Sequence, residues 1–366
     1  VKLALAQINP TVGDFSGNKK KILSFARRAA ERGADLVLFP ELSVCGYPPA
    51  DLLEKQAFVA RCEQVVQEIA REAPEIAIVV GSVQALTEPV GKRVANVAVL
   101  LHGGKVTFTQ HKMLLPYYDV FDEQRYFASP AQQSLVQLCG QQAAITICED
   151  AWNDKDFWPR PLYEVDPVER LLKAGANLVL NISASPFHRG KPALRRQMLQ
   201  TVARSHKCVV AMVNQVGGND SLVFDGNSFV LGPAGEVIAQ AKAFEEDLLI
   251  ADLGKASVAS KLAATEDEYA AVYQALVLGT RDYVLKCGFT RAAIGLSGGI
   301  DSALVAAIAT EALGPQNVLG VLMPSQYSSE GSVADALQLA RNLGIRAEQI
   351  PIRPTFETLE AALAPL

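Results

Sequence analysis

Short apolar runs alternate along this chain with longer amphipathic stretches, and twice a polar turn between two apolar arms interrupts the alternation. The runs Leu3–Ile8, Asp35–Phe39, Ile76–Gly81, Ala143–Ile147, Asn177–Ile182 and Cys208–Val213 read as buried strands. Between them, Asn18–Arg32, Phe58–Glu72, Pro167–Lys173 and Ala193–Ser205 have helical spacing. In the first of these, Ile22, Phe25, Ala26 and Ala29 share one face. His102-Gly103-Gly104 joins Asn96–Leu101 to Lys105–Gln110, and Gly232-Pro233-Ala234-Gly235 joins Ser228–Leu231 to Glu236–Gln240. Both segments predict hairpins. A sheet made only of crossover units needs none. The pattern therefore predicts an α/β fold with helices covering one face of each of two packed sheets.

After Asp247–Leu253 the texture changes. Gly254–Ala264 is small, polar and weakly patterned, as a linker would be. Glu266–Lys286 then reads as one long helix, Ala292–Leu296 as a short strand, Ala303–Leu313 as a helix, Val318–Met323 as a strand and Ser332–Asn342 as a helix. This β–loop–α–β order predicts a parallel, nucleotide-binding type of sheet. The expected domains are residues 1–255 and 266–366, joined by a linker over 256–265.

Charge and cysteine usage exclude several functions. Lys plus Arg total 34 against 39 Asp plus Glu, a net charge of -5, which argues against a nucleic-acid-binding surface. No apolar run reaches the ~20 residues that span a bilayer, so no membrane partner is expected. Val1 leads directly into a strand pattern and not into a signal peptide. The six cysteines are scattered without a CxxC pair, and the four histidines form no HxxxH pair. A zinc ribbon and a disulfide scaffold are thereby disfavoured; reduced thiols of a cytoplasmic protein are expected.

Three ionisable residues, Glu41, Lys112 and Cys148, sit just beyond apolar runs, where α/β folds gather reactive groups. A free thiol has a pKa near ~8.5, and the thiolate is the nucleophile. A neighbouring carboxylate can take the thiol proton, and a neighbouring ammonium favours thiolate and oxyanion. The set suits acyl transfer from an amide through a thioester. Each residue alone has a plainer reading, as a core cysteine or a rim charge, and the surrounding words decide. Phe39-Pro40-Glu41-Leu42-Ser43, His111-Lys112-Met113-Leu114-Leu115-Pro116 and Ile147-Cys148-Glu149-Asp150-Ala151-Trp152 resemble, in order and spacing, the three motifs of the carbon–nitrogen hydrolase (nitrilase) superfamily. The resemblance covers about residues 1–255. It implies an α-β-β-α sandwich and amide hydrolysis through a cysteine acyl-enzyme. Glu41 is then the general base, and Lys112, with a backbone N–H beside Cys148, stabilises the oxyanion. Glu123 matches the superfamily's second glutamate and would orient lysine and substrate.

The segment Gly295-Leu296-Ser297-Gly298-Gly299-Ile300-Asp301-Ser302 lies between a predicted strand and a predicted helix. Glycines admit close approach, and successive N–H groups at a helix start make an anion site. Ser297 and Ser302 add hydroxyls. Asp301 makes sense beside Mg²⁺ and not beside bare phosphate. No GxxxxGK[ST] is present, so this is not a Walker loop. The string resembles the ATP-pyrophosphatase (PP-loop) family, which implies ATP as co-substrate, residues 295–302 as its site, Asp301 as a Mg²⁺ ligand, and no tightly bound organic cofactor.

A nitrilase-type amidase releases ammonia, and a PP-loop synthetase consumes it. This order of domains resembles the family of glutamine-dependent NAD⁺ synthetases. Leu115-Pro116-Tyr117-Tyr118, Phe121–Phe127, Asn181–Phe187 and Met323–Ser329 fit the same family. The resemblance implies L-glutamine, deamido-NAD⁺ and ATP as substrates, with Tyr118, Ser185 and Lys191 touching glutamine. It also implies a symmetric homo-oligomer and an ammonia tunnel. Tyr117 departs from the family's usual Asn, and Lys191 stands where relatives can have Arg. The family's synthetase domain continues past Leu366, so a partial Rossmann-like PP-loop domain is expected here. The rival readings are an amidase of the same superfamily with an inactive appendage, a nucleotide-sensing scaffold without turnover, and another ammonia-using PP-loop enzyme. The last is disfavoured because such relatives usually carry a different glutaminase domain.

Overall fold

The computed structural model describes residues 1–88, 90–254 and 267–364. The expected linker 256–265 lies outside the described residues. Two compact units divide the chain, Val1–Ala271 and Val272–Leu366.

The first unit runs β1 (Lys2–Gln7), α1 (Phe15–Glu31), β2 (Leu36–Leu38), α2 (Gln56–Glu72), β3 (Ala77–Ala85), β4 (Val94–His102), β5 (Lys105–His111), α3 (Glu123–Tyr126), β6 (Val136–Leu138) and β7 (Gln141–Ile147). It continues with α4 (Pro167–Lys173), β8 (Leu178–Ser183), α5 (Lys191–His206), β9 (Val209–Asn214), β10 (Val216–Asn219), β11 (Leu222–Asp225), β12 (Phe229–Leu231), β13 (Val237–Gln240) and β14 (Asp247–Asp252). Two six-stranded sheets result, ordered β14-β1-β2-β3-β4-β5 and β13-β12-β9-β8-β7-β6. Each has a parallel centre, β1-β2-β3 in one and β7-β8-β9 in the other, flanked by antiparallel strands. Both expected hairpins are present, as β4–β5 and β12–β13.

The period-2 alternation of side chains explains the layering. Leu3, Leu5, Leu36 and Leu38 meet Ile145, Leu180, Ile182 and Val213 in a core between the sheets. Their neighbours Ala4, Ala6, Val37 and Phe39 face the other way, onto Ile22, Phe25, Val65 and Ile69 of α1 and α2. On the far side Val179, Val210 and Met212 pack against Val168 of α4 and Met198, Leu199 and Val202 of α5. This is the α-β-β-α sandwich. α1 starts where the Asp14 side chain accepts the Gly17 N–H at 2.8 Å, a normal N-cap. The strands β6, β10 and β11 are additional to the sequence expectation; they are short, and β10 and β11 pair with each other in a separate two-stranded sheet.

α6 (Glu268–Lys286) starts in the last residues of the first unit and continues into the second, which also holds β15 (Ala292–Gly295), α7 (Ile300–Leu313), β16 (Val318–Leu322), α8 (Glu330–Leu343), β17 (Arg346–Gln349) and α9 (Arg353–Leu363). Its sheet is parallel, in the order β15-β16-β17. Leu296, Ala306, Val318, Leu322, Ala336 and Ile345 form its core. β17 and α9 escaped the sequence reading. β17 reads Arg-Ala-Glu-Gln and carries no apolar run, so its pairing with β16 decides its state.

Leu5 is fully buried between the sheets. Leu5→Ala should cost about 3 kcal/mol of stability in urea unfolding, whereas Lys20→Ala, on the exposed face of α1, should stay within about 0.5 kcal/mol.

Candidate active site

Glu41 stands in the turn that follows β2. That turn lies against Gly81 of β3, where a Cβ would come within 2.2 Å of the Leu42 nitrogen and 2.6 Å of the Pro40 oxygen. Only glycine lets the Glu41 turn seat there. The carboxylate is fully buried and triply bonded. Asn96 Nδ2 and Lys112 Nζ both donate to Oε1 at 2.7 Å, and the Ala184 N–H donates to Oε2 at 3.0 Å.

Lys112 follows β5 and is likewise buried. Its ammonium also reaches Glu123, Oε1 at 2.8 Å and Oε2 at 2.7 Å. Burial, the largest influence, opposes its charge, but Glu123 and Glu41 outweigh it and hold the ammonium well above its ordinary pKa. Glu123, whose Oε1 also accepts the Tyr47 hydroxyl at 2.9 Å, is pushed up to about 7, by burial first and only partly relieved by Lys112.

Cys148 follows β7 and opens a short 3₁₀ turn, Cys148–Ala151. Its φ is +44°, a left-handed value for a non-glycine residue. Burial pushes its thiol well above the usual range; Glu41 adds to the rise and Lys112 opposes it. Lys112 thus favours the thiolate, as expected, but burial and the neighbouring acids outweigh it. Asp150 clamps the elbow. Its Oδ1 accepts the N–H groups of Met113 and Leu114 at 2.9 and 2.8 Å, and its Oδ2 accepts that of Ile147 at 3.1 Å and Gln133 Nε2 at 2.9 Å. One buried carboxylate thus ties the Lys112 segment to the Cys148 turn. Burial still pushes it up to about 6, because these donors offset only part of the desolvation.

A cavity of about 310 Å³ opens on Cys148 and is lined by Tyr118, Glu149, Trp152, Trp158, Ser185 and Lys191, among others. The three expected pocket residues, Tyr118, Ser185 and Lys191, therefore meet at one hollow with the cysteine. Lys191 is the first residue of α5, behind the left-handed Gly190. Its Nζ lies 5.7 Å from the Phe121 ring centre and 5.5 Å from that of Trp152. No carboxylate pairs with it among the described residues, and burial pulls its pKa below the ordinary value. The Ser185 N–H donates to Asn214 Oδ1 at 2.8 Å. Glu149, unassigned by the sequence reading, contributes a carboxylate to the wall, as does Asp119; Tyr118 and Tyr163 donate to Glu149 Oε1 at 2.8 and 2.9 Å. Asp150 and Asn96 also went unassigned. The one available signal was two acids directly after the cysteine; Asn96 sits inside an apolar strand and gives none.

In the second unit the loop 295–302 forms a tight hydroxyl-lined turn. Gly295 ends β15, and the Leu296 side chain belongs to the core, its N–H bonded to Val321 O at 2.9 Å. Ser297 and Ser302 hydroxyls lie 3.0 Å apart; the Gly299 N–H donates to Ser297 Oγ at 3.2 Å, and Ser302 Oγ donates to Gly299 O at 3.0 Å. Gly298 has φ +83°, and a Cβ there would fall 2.3 Å from Ser332 O. α7 begins at Ile300, three residues before the sequence expectation, because Gly299 already serves as its N-cap. Ile300, Asp301 and Ser302 are thus its first turn, with Ile300 and Asp301 exposed. No group of three or more potential metal-binding side chains occurs among the described residues.

A cysteine elbow, two carboxylates and a lysine on an α-β-β-α sandwich define a carbon–nitrogen hydrolase, here followed by a nucleotide-binding type of unit. The chain matches the carbon-nitrogen hydrolase family over residues 2–261 and the NAD synthase family over 272–365. It is 48% identical to the glutamine-dependent NAD(+) synthetase of Synechocystis sp., over 100% of this chain and 67% of that protein. The structure of the glutamine-dependent NAD+ synthetase from Acinetobacter baumannii in complex with ADP aligns with a TM-score of 0.89 at 36% identity, covering 100% of this chain and 67% of that one. An amidase from Nesterenkonia sp. aligns with a TM-score of 0.56 at 28% identity, covering 69% and 90%. The chain belongs to the family of glutamine-dependent NAD⁺ synthetases and spans about two thirds of the length of these relatives.

Because Glu123 titrates near 7 in the fold against an ordinary 4.5, folding favours its protonated form. That stabilisation is full below about pH 4.5 and is lost as pH rises through 7. Glu123→Gln takes a carboxylate from the buried Lys112 ammonium and should lower stability by about 3 kcal/mol at pH 5, and this loss relative to the parent should shrink as pH rises to 8, in thermal melts across that range. A loss that grows over the same interval would contradict the raised value.

Proposed function

We propose that the first unit hydrolyses L-glutamine at Cys148 and that the second uses the ammonia to convert deamido-NAD⁺ to NAD⁺ with ATP. The observation carrying this reading is the opening of one cavity on Cys148, Glu149 and Lys191 together. Glutamine is a zwitterion with a reactive amide at its far end. Lys191 supplies a cation for the α-carboxylate, Glu149 an anion for the α-ammonium, and Cys148 the nucleophile for the amide carbon. A simple amide has nothing to offer the two charged walls. Together with a match that runs through both units, this disfavours the amidase-with-appendage alternative.

As the thiol attacks, its proton passes to Glu41 and the S–C bond forms. Lys112 keeps a positive charge beside the developing oxyanion, shared with a backbone N–H next to Cys148. Glu41 returns the proton to the leaving nitrogen, and ammonia departs from a thioester. Water, giving a proton to Glu41, adds to the thioester carbon; the C–S bond breaks, glutamate leaves, and the proton returns from Glu41 to the Cys148 sulfur. Glu123 keeps Lys112 in place throughout.

In the second unit the hydroxyls and N–H groups of residues 297–302 receive ATP phosphates. The nicotinate carboxylate of deamido-NAD⁺ attacks the α-phosphate, pyrophosphate leaves, and ammonia displaces AMP. Mg²⁺ is commonly held by one or two carboxylates plus substrate phosphates, so a single exposed Asp301 beside the turn fits that ion. Asp301 would hold it, and the ion would neutralise phosphate charge. No helix among the described residues is long and apolar enough to cross a membrane, and the six cysteines are free. A cytoplasmic homo-oligomer agrees with this reading.

In the full-length enzyme, Cys148→Ala should abolish NAD⁺ synthesis from glutamine and leave synthesis from added ammonium. Gly298→Ala should do the reverse: its Cβ meets the Ser332 backbone oxygen, so synthesis from either nitrogen source fails while glutaminase activity persists. Steady-state assays of NAD⁺ and glutamate formation read both. Retention of glutamine-dependent synthesis in Cys148→Ala would remove the nucleophile assignment.

A further inference from the structure

Glu149 is held by two phenols that arrive from different parts of the chain. Tyr118 comes from the segment after Lys112, and Tyr163 from the loop that follows the cysteine elbow. Both donate to the same oxygen, Oε1, at 2.8 and 2.9 Å. A carboxylate oxygen offers two lone-pair directions, so two donors fill Oε1 and set the plane of the group. Oε2 is left to the cavity that Glu149 lines.

The loop carrying Tyr163 is itself knit to a single buried side chain. Asn153 Nδ2 donates to the Tyr163 and Val165 carbonyls, each at 2.8 Å. Its Oδ1 accepts the N–H groups of Leu162 and Tyr163 at 3.0 and 3.1 Å. Trp158 of the same loop stacks on Trp152 at 6.4 Å and meets Phe157 edge-on at 4.9 Å. Trp158, Arg160 and Leu162 reach the cavity wall. The loop is therefore built to deliver the Tyr163 hydroxyl to one place. Burial, and after it the Glu149 carboxylate, keeps that phenol protonated and hence a donor.

We propose that Tyr163, anchored through Asn153, is a positioning residue for substrate selection: with Tyr118 it saturates Glu149 Oε1 and so aims Oε2 at the α-ammonium group of the substrate. The proposal rests on the reading of Glu149 as the ammonium-binding wall. Tyr163 touches neither the amide nor the nucleophile. Its effect is on which amides are preferred, not on the acyl transfer.

The test compares L-glutamine with glutaramate, which has the same amide and carboxylate but no α-amino group, in ammonia-release assays of the full-length enzyme. In Tyr163→Phe the ratio of kcat/KM for L-glutamine to that for glutaramate should fall about tenfold, through KM for glutamine. Asn153→Ala, which frees the loop, should lower the ratio in the same direction. A general loss of fold would reduce both substrates alike and leave the ratio unmoved, as a merely structural role would. If Glu149→Gln collapses the ratio while Tyr163→Phe leaves it at the parent value, the positioning role is wrong and the Glu149 reading stands. If the parent enzyme does not distinguish the two amides, the Glu149 reading falls, and this proposal with it.

Discussion

The ammonium of Lys112 is buried between two carboxylates, and the rest of the first unit is arranged around that fact. An unpaired charge at this depth would cost several kcal/mol, and removing one partner from a buried pair commonly costs about 3–5 kcal/mol. The cluster therefore demands that three distant segments arrive together: the turn after β2 with Glu41, the end of β5 with Lys112, and α3 with Glu123. The parallel centres of both sheets serve this demand. They bring the ends of several strands to one side, where Glu41 and the Ala184 N–H of the opposite sheet already touch.

The same electrostatics shape the nucleophile. Three acids, Glu41, Glu149 and Glu123, and one lysine act on a buried thiol, and burial raises it most. In the proposed reaction this raised thiol gives its proton to Glu41 as it attacks, so the general base matters more than it would for a thiolate held ready by Lys112. Asp150 keeps the geometry by accepting four donors from three segments, so the lysine and the cysteine cannot drift apart independently.

Much of the architecture was legible in the residues. Alternating Leu3-Ala4-Leu5-Ala6 states that a strand has two different buried faces, and Ile22, Phe25, Ala26 and Ala29 state which side of α1 is apolar. Both hairpins announced themselves through Gly-containing turns. β17 did not, because Arg-Ala-Glu-Gln becomes a strand only by pairing with β16. The start of α7 was displaced because a glycine turn and a helix cap share the same residues. Within the site, Glu41, Lys112, Glu123 and Cys148 stood out through their neighbouring words, whereas Asn96, Asn153 and Tyr163 had no local signature.

By itself the sequence determined the alternation of strands and helices and the order of the two units, and it singled out the candidate reactive groups, because these depend on periodicity and on residues adjacent along the chain. The tertiary structure alone decided that burial raises the thiol, that Lys112 has two carboxylate partners, and that Glu149 and Lys191 line one hollow. Those outcomes depend on burial and on distances between side chains far apart in sequence, and desolvation and Coulomb energies exist only once the chain has folded.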